Sequence, residues 1–268
     1  MTFSVTPMVE AVSTLAGRRA FVTGANTGIG RALALACARG GADVLIHHCG
    51  DGAGAKDVAS QVTAMGRCAD LLELDFSDTQ GVVQAADSLA DTQPAIDILI
   101  LNAAIEHRRA WTEIDADLVH GHVSINLTAS LLLMTRLVDA MAQRGWGRVV
   151  AIGSVLAARP RAEATIYASL KSAQLTAMRA IARDVAAKGV TMNVVSPGSI
   201  LTDRSRDVLS DPDTRRFVER KIPAGRIGEP EDCVAPVLML CSDAASYITG
   251  ADIPVDGGWR IGDAMERP

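Results

Sequence analysis

The stretch Thr23-Gly-Ala-Asn-Thr-Gly-Ile-Gly30 follows the apolar run Arg19-Ala-Phe-Val22 and leads directly into Arg31-Ala-Leu-Ala-Leu-Ala-Cys-Ala38. It sets glycines 24, 28 and 30 between a strand-like segment and a helix-like one. Glycine permits a tight turn and close approach of another group to the backbone, while a helix start offers free N–H groups and a positive dipole end. Together they make a phosphate cradle. Taken alone, the spacing is equally that of a flexible connector, so the rest of the chain decides.

At 268 residues, 49% hydrophobic and 21% charged, the chain suits one large globular α/β domain with a core of Ala, Val, Leu and Ile. A formal charge of −5 gives no reason to expect nucleic acid or an anionic membrane as partner. Cysteines 37, 49, 68, 233 and 241 are odd in number, spread out and mostly within apolar runs, so they read as reduced core residues of a cytoplasmic protein. Residues 1–14 read as a polar arm without a signal sequence, and no window approaches the roughly 20 uninterrupted apolar residues of a membrane span.

Aliphatic runs at 19–23, 43–47, 69–74, 96–101, 147–153, 190–195 and 252–255 alternate with helical patterns at 29–39, 53–65, 79–90, 116–144, 165–187 and 231–241. That alternation predicts a doubly wound, mostly parallel seven-stranded sheet with helices on both faces, in one domain over 15–268. Pro236 is expected to kink or split the last helix. The charged segment 203–225 follows a strand end, where open α/β sheets bind ligands, and reads as a lid.

Tyr167 and Lys171 stand four apart in a helical pattern, hence on one face about a turn apart. Ser154 closes a strand, so its hydroxyl emerges at the carboxyl edge of the sheet. A phenol with a reference pKa of about 10 is a poor base at neutral pH, and a nearby ammonium favours its charged form. Such a tyrosine can exchange a proton with an alcohol or carbonyl oxygen while hydride moves to or from a nicotinamide. The groups His47-His48-Cys49 and His120-Gly-His122 do not focus on one ion, because neighbours on a strand and residues two apart on a helix diverge. No metal site is expected.

In order and spacing, Thr23-Gly-x-x-x-Gly-x-Gly30, Asn102-Ala-Ala-Ile105, Asn126, Ser154, Tyr167-x-x-x-Lys171 and Pro197-Gly-Ser-Ile-Leu-Thr202 resemble the short-chain dehydrogenase/reductase family. The likeness runs from about residue 15 to 260, ending in Ile248-Thr-Gly-Ala-Asp-Ile-Pro-Val-Asp-Gly-Gly-Trp259. It implies an NAD(P)-dependent oxidoreductase acting on a secondary alcohol or ketone of the polyol, sugar, hydroxy acid or 3-oxoacyl type. By the same resemblance the catalytic set is Ser154, Tyr167 and Lys171, with Asn126 completing a proton relay through water. The cofactor set is Gly24, Asn26, Thr27, Gly28, Ile29, Gly30, His48, Asp75, Phe76, Asn102, Ala103, Ala104, Tyr167, Lys171, Pro197, Gly198, Ile200 and Thr202. Glu106, Ser154, Leu156 and Ser199 are expected at the substrate.

The family's usual Asn-Asn-Ala-Gly stands here as Leu101-Asn-Ala-Ala104, a change expected to be tolerated. His48 replaces the acid that reads the adenine ribose in NAD-selective members, and the arginines that grip the NADP phosphate are missing at 27 and 49. Both cofactors are therefore expected to work, with NADP modestly favoured, and more so at low pH if His47 or His48 gains a proton beside the phosphate. Apolar residues such as Leu131, Leu132, Leu133, Leu175 and Met178, with the end Ile253 through Ile261, suggest a homotetramer. Two rivals remain, a noncatalytic NAD(P) sensor or scaffold and a halohydrin-dehalogenase-like lyase. Lys171 and the glycine loop speak against the second.

Overall fold

Each short aliphatic run becomes a strand in the computed structural model, which describes residues 14–50 and 52–264. The strands are β1 (Arg19–Val22), β2 (Asp43–His48), β3 (Ala69–Glu73), β4 (Ile98–Leu101), β5 (Gly147–Ile152), β6 (Val190–Pro197) and β7 (Asp252–Val255). They form one parallel sheet in the order β3-β2-β1-β4-β5-β6-β7. The order reverses between β1 and β4, which opens a crevice at their carboxyl ends.

The helices are α1 (Gly28–Arg39), α2 (Ala53–Ala64), α3 (Thr79–Asp91), α4 (Ala116–Val123), α5 (Ala129–Arg144), α6 (Thr165–Val185), α7 (Asp203–Leu209), α8 (Pro212–Glu219) and α9 (Val234–Cys241). Strand alternation distributes the core between the two faces of the sheet. Val22, Ile46, Ile98 and Ile100 pack with Leu33, Cys37 and Leu240 of α1 and α9. Phe21, Leu45, Leu99 and Leu101 pack on the opposite face with Leu133, Leu137, Met141 and Met178 of α5 and α6. Central strands are buried throughout, as a sheet covered on both faces requires. The edge strand β3 is more open, with Leu71 exposed.

Several expectations need correction. The segment 116–144 is not one regular α-helix, because a π-helical turn, Ser124–Thr128, joins α4 to α5. Buried positions 122, 126, 130, 133, 137 and 141 explain it. They span 19 residues in five turns where a regular α-helix supplies 18, and the wider turn absorbs the extra residue. Among the described residues, Ala116–Arg144 is also the one helical run long and apolar enough to cross a membrane by length and composition alone. Here its stripe lies in the core. The segment 231–241 is split ahead of α9, one of the two outcomes expected of Pro236. A 3₁₀ turn, Pro230–Cys233, precedes that helix, and Pro236 falls in its first turn, where a missing N–H costs no bond.

Leu133 and Met178, expected at an interface, are fully buried in their own core. Cys37, Cys233 and Cys241 are buried free thiols, but Cys49 and Cys68 are exposed. The arm at 1–14 lies, Thr14 apart, outside the described residues.

Candidate active site

The crevice between β1 and β4 is a cleft of about 770 Å³ that runs from the glycine loop to the ends of β5 and β6. At its start, Gly24 and Gly28 hold the left-handed backbone that glycine tolerates, at φ +61° and +53°. A Cβ on Gly24 would lie 3.0 Å from Ala103 Cα, and one on Gly28 3.2 Å from Thr202 Cγ2. Thr27 makes no side-chain cap on α1, so the first N–H groups of that helix are not satisfied by it. This bare cradle at a helix start fits a dinucleotide pyrophosphate.

Of the expected cofactor residues, Gly24, Asn26, Thr27, Gly28, Ile29, Asp75, Phe76, Asn102, Ala103, Ala104, Tyr167, Lys171, Pro197, Gly198, Ile200 and Thr202 line the cleft. Asn102 also joins the two strands at the switch point. Its Nδ2 donates to the carbonyls of Thr23 and Gly24, each at 2.9 Å, while the Thr23 hydroxyl accepts from the Asn102 and Ala103 N–H groups.

Two expected cofactor residues stand off the wall. Gly30 faces the glycine loop itself, and a Cβ there would sit 2.0 Å from the Gly24 carbonyl oxygen and 2.5 Å from Asn102 Nδ2. Its small size serves helix–strand contact. His48 turns to the other face of β2, where its ring is buried beside Gly52 and its Nδ1 has no hydrogen-bond partner among the described residues. His47 and Cys49 occupy the wall instead. Strand alternation is the reason, since a shift of one residue exchanges faces.

His47 is held from three sides. Gly24 N–H donates to its Nδ1 at 2.9 Å, its Nε2 donates to the Leu74 carbonyl at 2.9 Å, and its ring stacks on Phe76 at 4.1 Å. Burial is the main reason that its pKa falls to about 4, outweighing the Leu74 hydrogen bond. At that value His47 carries little imidazolium charge at pH 6.

At the other end Ser154, Tyr167 and Lys171 converge on the cleft. Ser154 ends β5, and its Oγ accepts from Leu156 N–H at 3.1 Å. Lys171 Nζ lies 5.6 Å from the centre of the Tyr167 ring, as the one-turn spacing requires. The ammonium is buried and donates to the Ile152 carbonyl at 2.6 Å and toward Gln174 Oε1 at 3.4 Å. Gln174 in turn donates to Ser130 at 3.2 Å. Asn126 is not on the wall. Its amide bonds both backbone groups of Ile105 at 2.8 Å, bracing the loop after β4.

Glu106, Leu156 and Ser199 line the substrate half as expected. The 203–225 segment also contributes, through Asp203, Ser205, Val208, Leu209, Thr214, Phe217 and Val218 on or beside α7 and α8. Arg108, in the Glu106–Arg109 segment that the sequence places at the ligand edge, is on the wall as well, whereas sequence reasoning missed Arg161 and Trp259. Trp259 follows two glycines at positive φ, Gly257 and Gly258, and that pair was the available signal for a chain turning back onto the site. His122 is a core residue whose Nε2 accepts from His107 N–H at 3.1 Å. Among the described residues no group of three His, Cys, Asp or Glu side chains could hold a metal ion.

A protein family described as Enoyl-(Acyl carrier protein) reductase matches residues 24–260. An L-rhamnose 1-dehydrogenase (NAD(P)(+)) from Sphingomonas is 33% identical over 248 residues, covering 92% of this chain and 98% of the relative. A 3-oxoacyl (acyl-carrier-protein) reductase from Agrobacterium tumefaciens, solved with NADP bound, is 31% identical with a TM-score of 0.90, covering 96% and 99% of the two chains. A gluconate 5-dehydrogenase from Burkholderia cenocepacia, solved with NADP and tartrate, is 29% identical with a TM-score of 0.87, covering 94% and 98%.

Proposed function

The chain belongs to the short-chain dehydrogenase/reductase family, and from that premise we propose that Tyr167 is the acid/base of a dehydrogenase acting on a sugar or sugar acid. Hydride transfer between NAD(P) and a secondary alcohol or ketone is the reaction of its relatives and of this chain. The observation that carries the residue assignment is the convergence of Ser154, Tyr167 and Lys171 on the cleft that begins at the glycine cradle.

Bound NAD(P) would supply or accept the hydride, held by the Gly24–Ile29 loop, Asn102 to Ala104 and Pro197 to Thr202. Tyr167 moves the proton, releasing it to a ketone oxygen in one direction and taking it from an alcohol in the other. Lys171 places positive charge one turn away and favours the phenolate. Ser154 holds the reacting oxygen. The Ile152 carbonyl and Gln174 fix the ammonium, and Asn126 keeps the loop carrying Ala104 to Glu106 in place.

A sugar-type substrate is supported by the polar groups of the far wall, Glu106, Arg108, Arg161 and Ser199, and by the substrates named for two relatives. Exposed Val208 and Phe217 on the same wall favour a second reading, a 3-oxoacyl substrate. Absorbance of the reduced cofactor during incubation with aldoses, aldonates and 3-oxoacyl thioesters separates the two. Tyr167→Phe should lower turnover at least about 100-fold, the scale of acid/base catalysis, while cofactor affinity stays within about twofold. A variant retaining a tenth of the rate would overturn the assignment of Tyr167.

A further inference from the structure

We infer that Arg161 anchors a carboxylate of the substrate, which makes the preferred ligand a sugar acid and not a neutral sugar. The inference rests on the reading that the Tyr167 half of the cleft receives substrate. Among the described residues three cations line that half, Arg108, Arg161 and Lys171. Lys171 is committed to the Ile152 carbonyl and Gln174. Arg108 Nε donates to Glu106 Oε1 at 2.9 Å, so those two charges neutralise each other on the wall. Arg161 is different. The carboxylate it faces, Glu163, is 3.9 Å away, beyond hydrogen-bond reach, and both side chains are more than a third exposed. Water screens such a pair and leaves it weak.

What fixes Arg161 is an aromatic face. Its guanidinium stands 5.0 Å from the centre of the Trp259 ring, itself part of the cleft wall. The ring is held from behind, because Arg159 donates to the Trp259 carbonyl and pairs with Asp263 at 3.0 Å, and Trp259 Nε1 donates to Asp263 at 3.2 Å. Contact with a ring face orients a guanidinium without consuming its N–H donors. The planar fork is left for a bidentate partner. Val155, Leu156 and Leu209 pack in one cluster with Trp259 and also line the cleft, so the ring that Arg161 rests on is itself seated on an apolar base. Asp203, an acid on the substrate half of the wall beside Glu106, sits at the start of α7 and faces Arg206 at 3.7 Å. Among the described residues of this half, Arg161 is the guanidinium without a carboxylate in hydrogen-bond reach, and one fork matches one carboxylate.

The test is calorimetry on the NADP-loaded protein with a six-carbon aldonate, its uncharged amide and the parent aldose, for wild type, Arg161→Gln and Arg161→Lys. We expect the aldonate to bind wild type at least tenfold more tightly than the amide. Arg161→Gln should erase that preference, and Arg161→Lys, which keeps charge but not the fork, should restore only part of it. Equal binding of aldonate and amide by wild type, no binding of the aldonate, or an unchanged preference in Arg161→Gln would each overturn the anchor. Hydride transfer is scored separately on the same preparations. Turnover of neutral alcohols without a preference for the acid sinks the anchor and leaves the dehydrogenase standing, while aldonate binding without turnover of any substrate does the reverse.

Discussion

At the scale of single residues, His47 links the fold to the cleft. Its neutral ring accepts from the Gly24 amide and donates to Leu74, so protonation breaks the bond that fixes the glycine loop. An unfolded histidine titrates near 6.5 and this one near 4. Between those values only the unfolded chain takes up the proton. The stabilisation is therefore fully present above pH 6.5, falls as pH drops and levels off below about 4. At 1.36 kcal/mol per unit it amounts to about 3 kcal/mol. Urea midpoints at pH 7 and pH 4.5 should show a loss in wild type that His47→Gln reduces by a comparable amount, and parallel losses in both proteins would refute the linkage. Tyr167, Lys171 and Ser154 were legible because helix periodicity and a strand end fix where they emerge. His48 was misplaced because family position identifies a residue, but only the strand's pleat decides which face it takes.

Among the elements, the junction of β1, α1 and β4 has the least slack. A methyl on Gly30 meets backbone, the Gly24 carbonyl oxygen, and neither partner can rotate away. Gly30→Ala should cost at least the 1–3 kcal/mol typical of overpacking. Gly121→Ala is the control. Nothing lies within 4 Å of its added methyl, and α4 should gain about 0.5–1 kcal/mol from a better helix former. Equilibrium denaturation of both variants checks the pair, and a Gly30→Ala protein as stable as wild type would show that the junction yields. Strand and helix positions could be read from hydrophobic runs, since each buried run has the length and period of its element. The π-turn could not, because a single extra residue over five turns hides inside a pattern that still looks helical.

For the whole molecule, we propose the homotetramer that the family resemblance implies, with exposed apolar groups as candidates for its contacts. Leu131 on α5 is partly exposed, and Tyr247 and Ile261 near the last strand are almost fully so. We expect light scattering to report about four times the 28.1 kDa chain mass, and a monomer at micromolar concentration would defeat that expectation. The doubly wound sheet was legible from strand–helix alternation and the far wall only in part, because Arg161 and Trp259 sit in segments without periodicity. The distance along the chain between the two ends of the cleft has a consequence for biosynthesis. Gly24 opens the cofactor cradle and Trp259 completes the opposite wall. At translation rates of about 5–20 residues per second, these residues are made roughly 10–50 s apart. Arg161 thus waits for the ring that orients it until nearly the whole described chain has been made, so affinity for the acid would be among the last properties the nascent protein acquires.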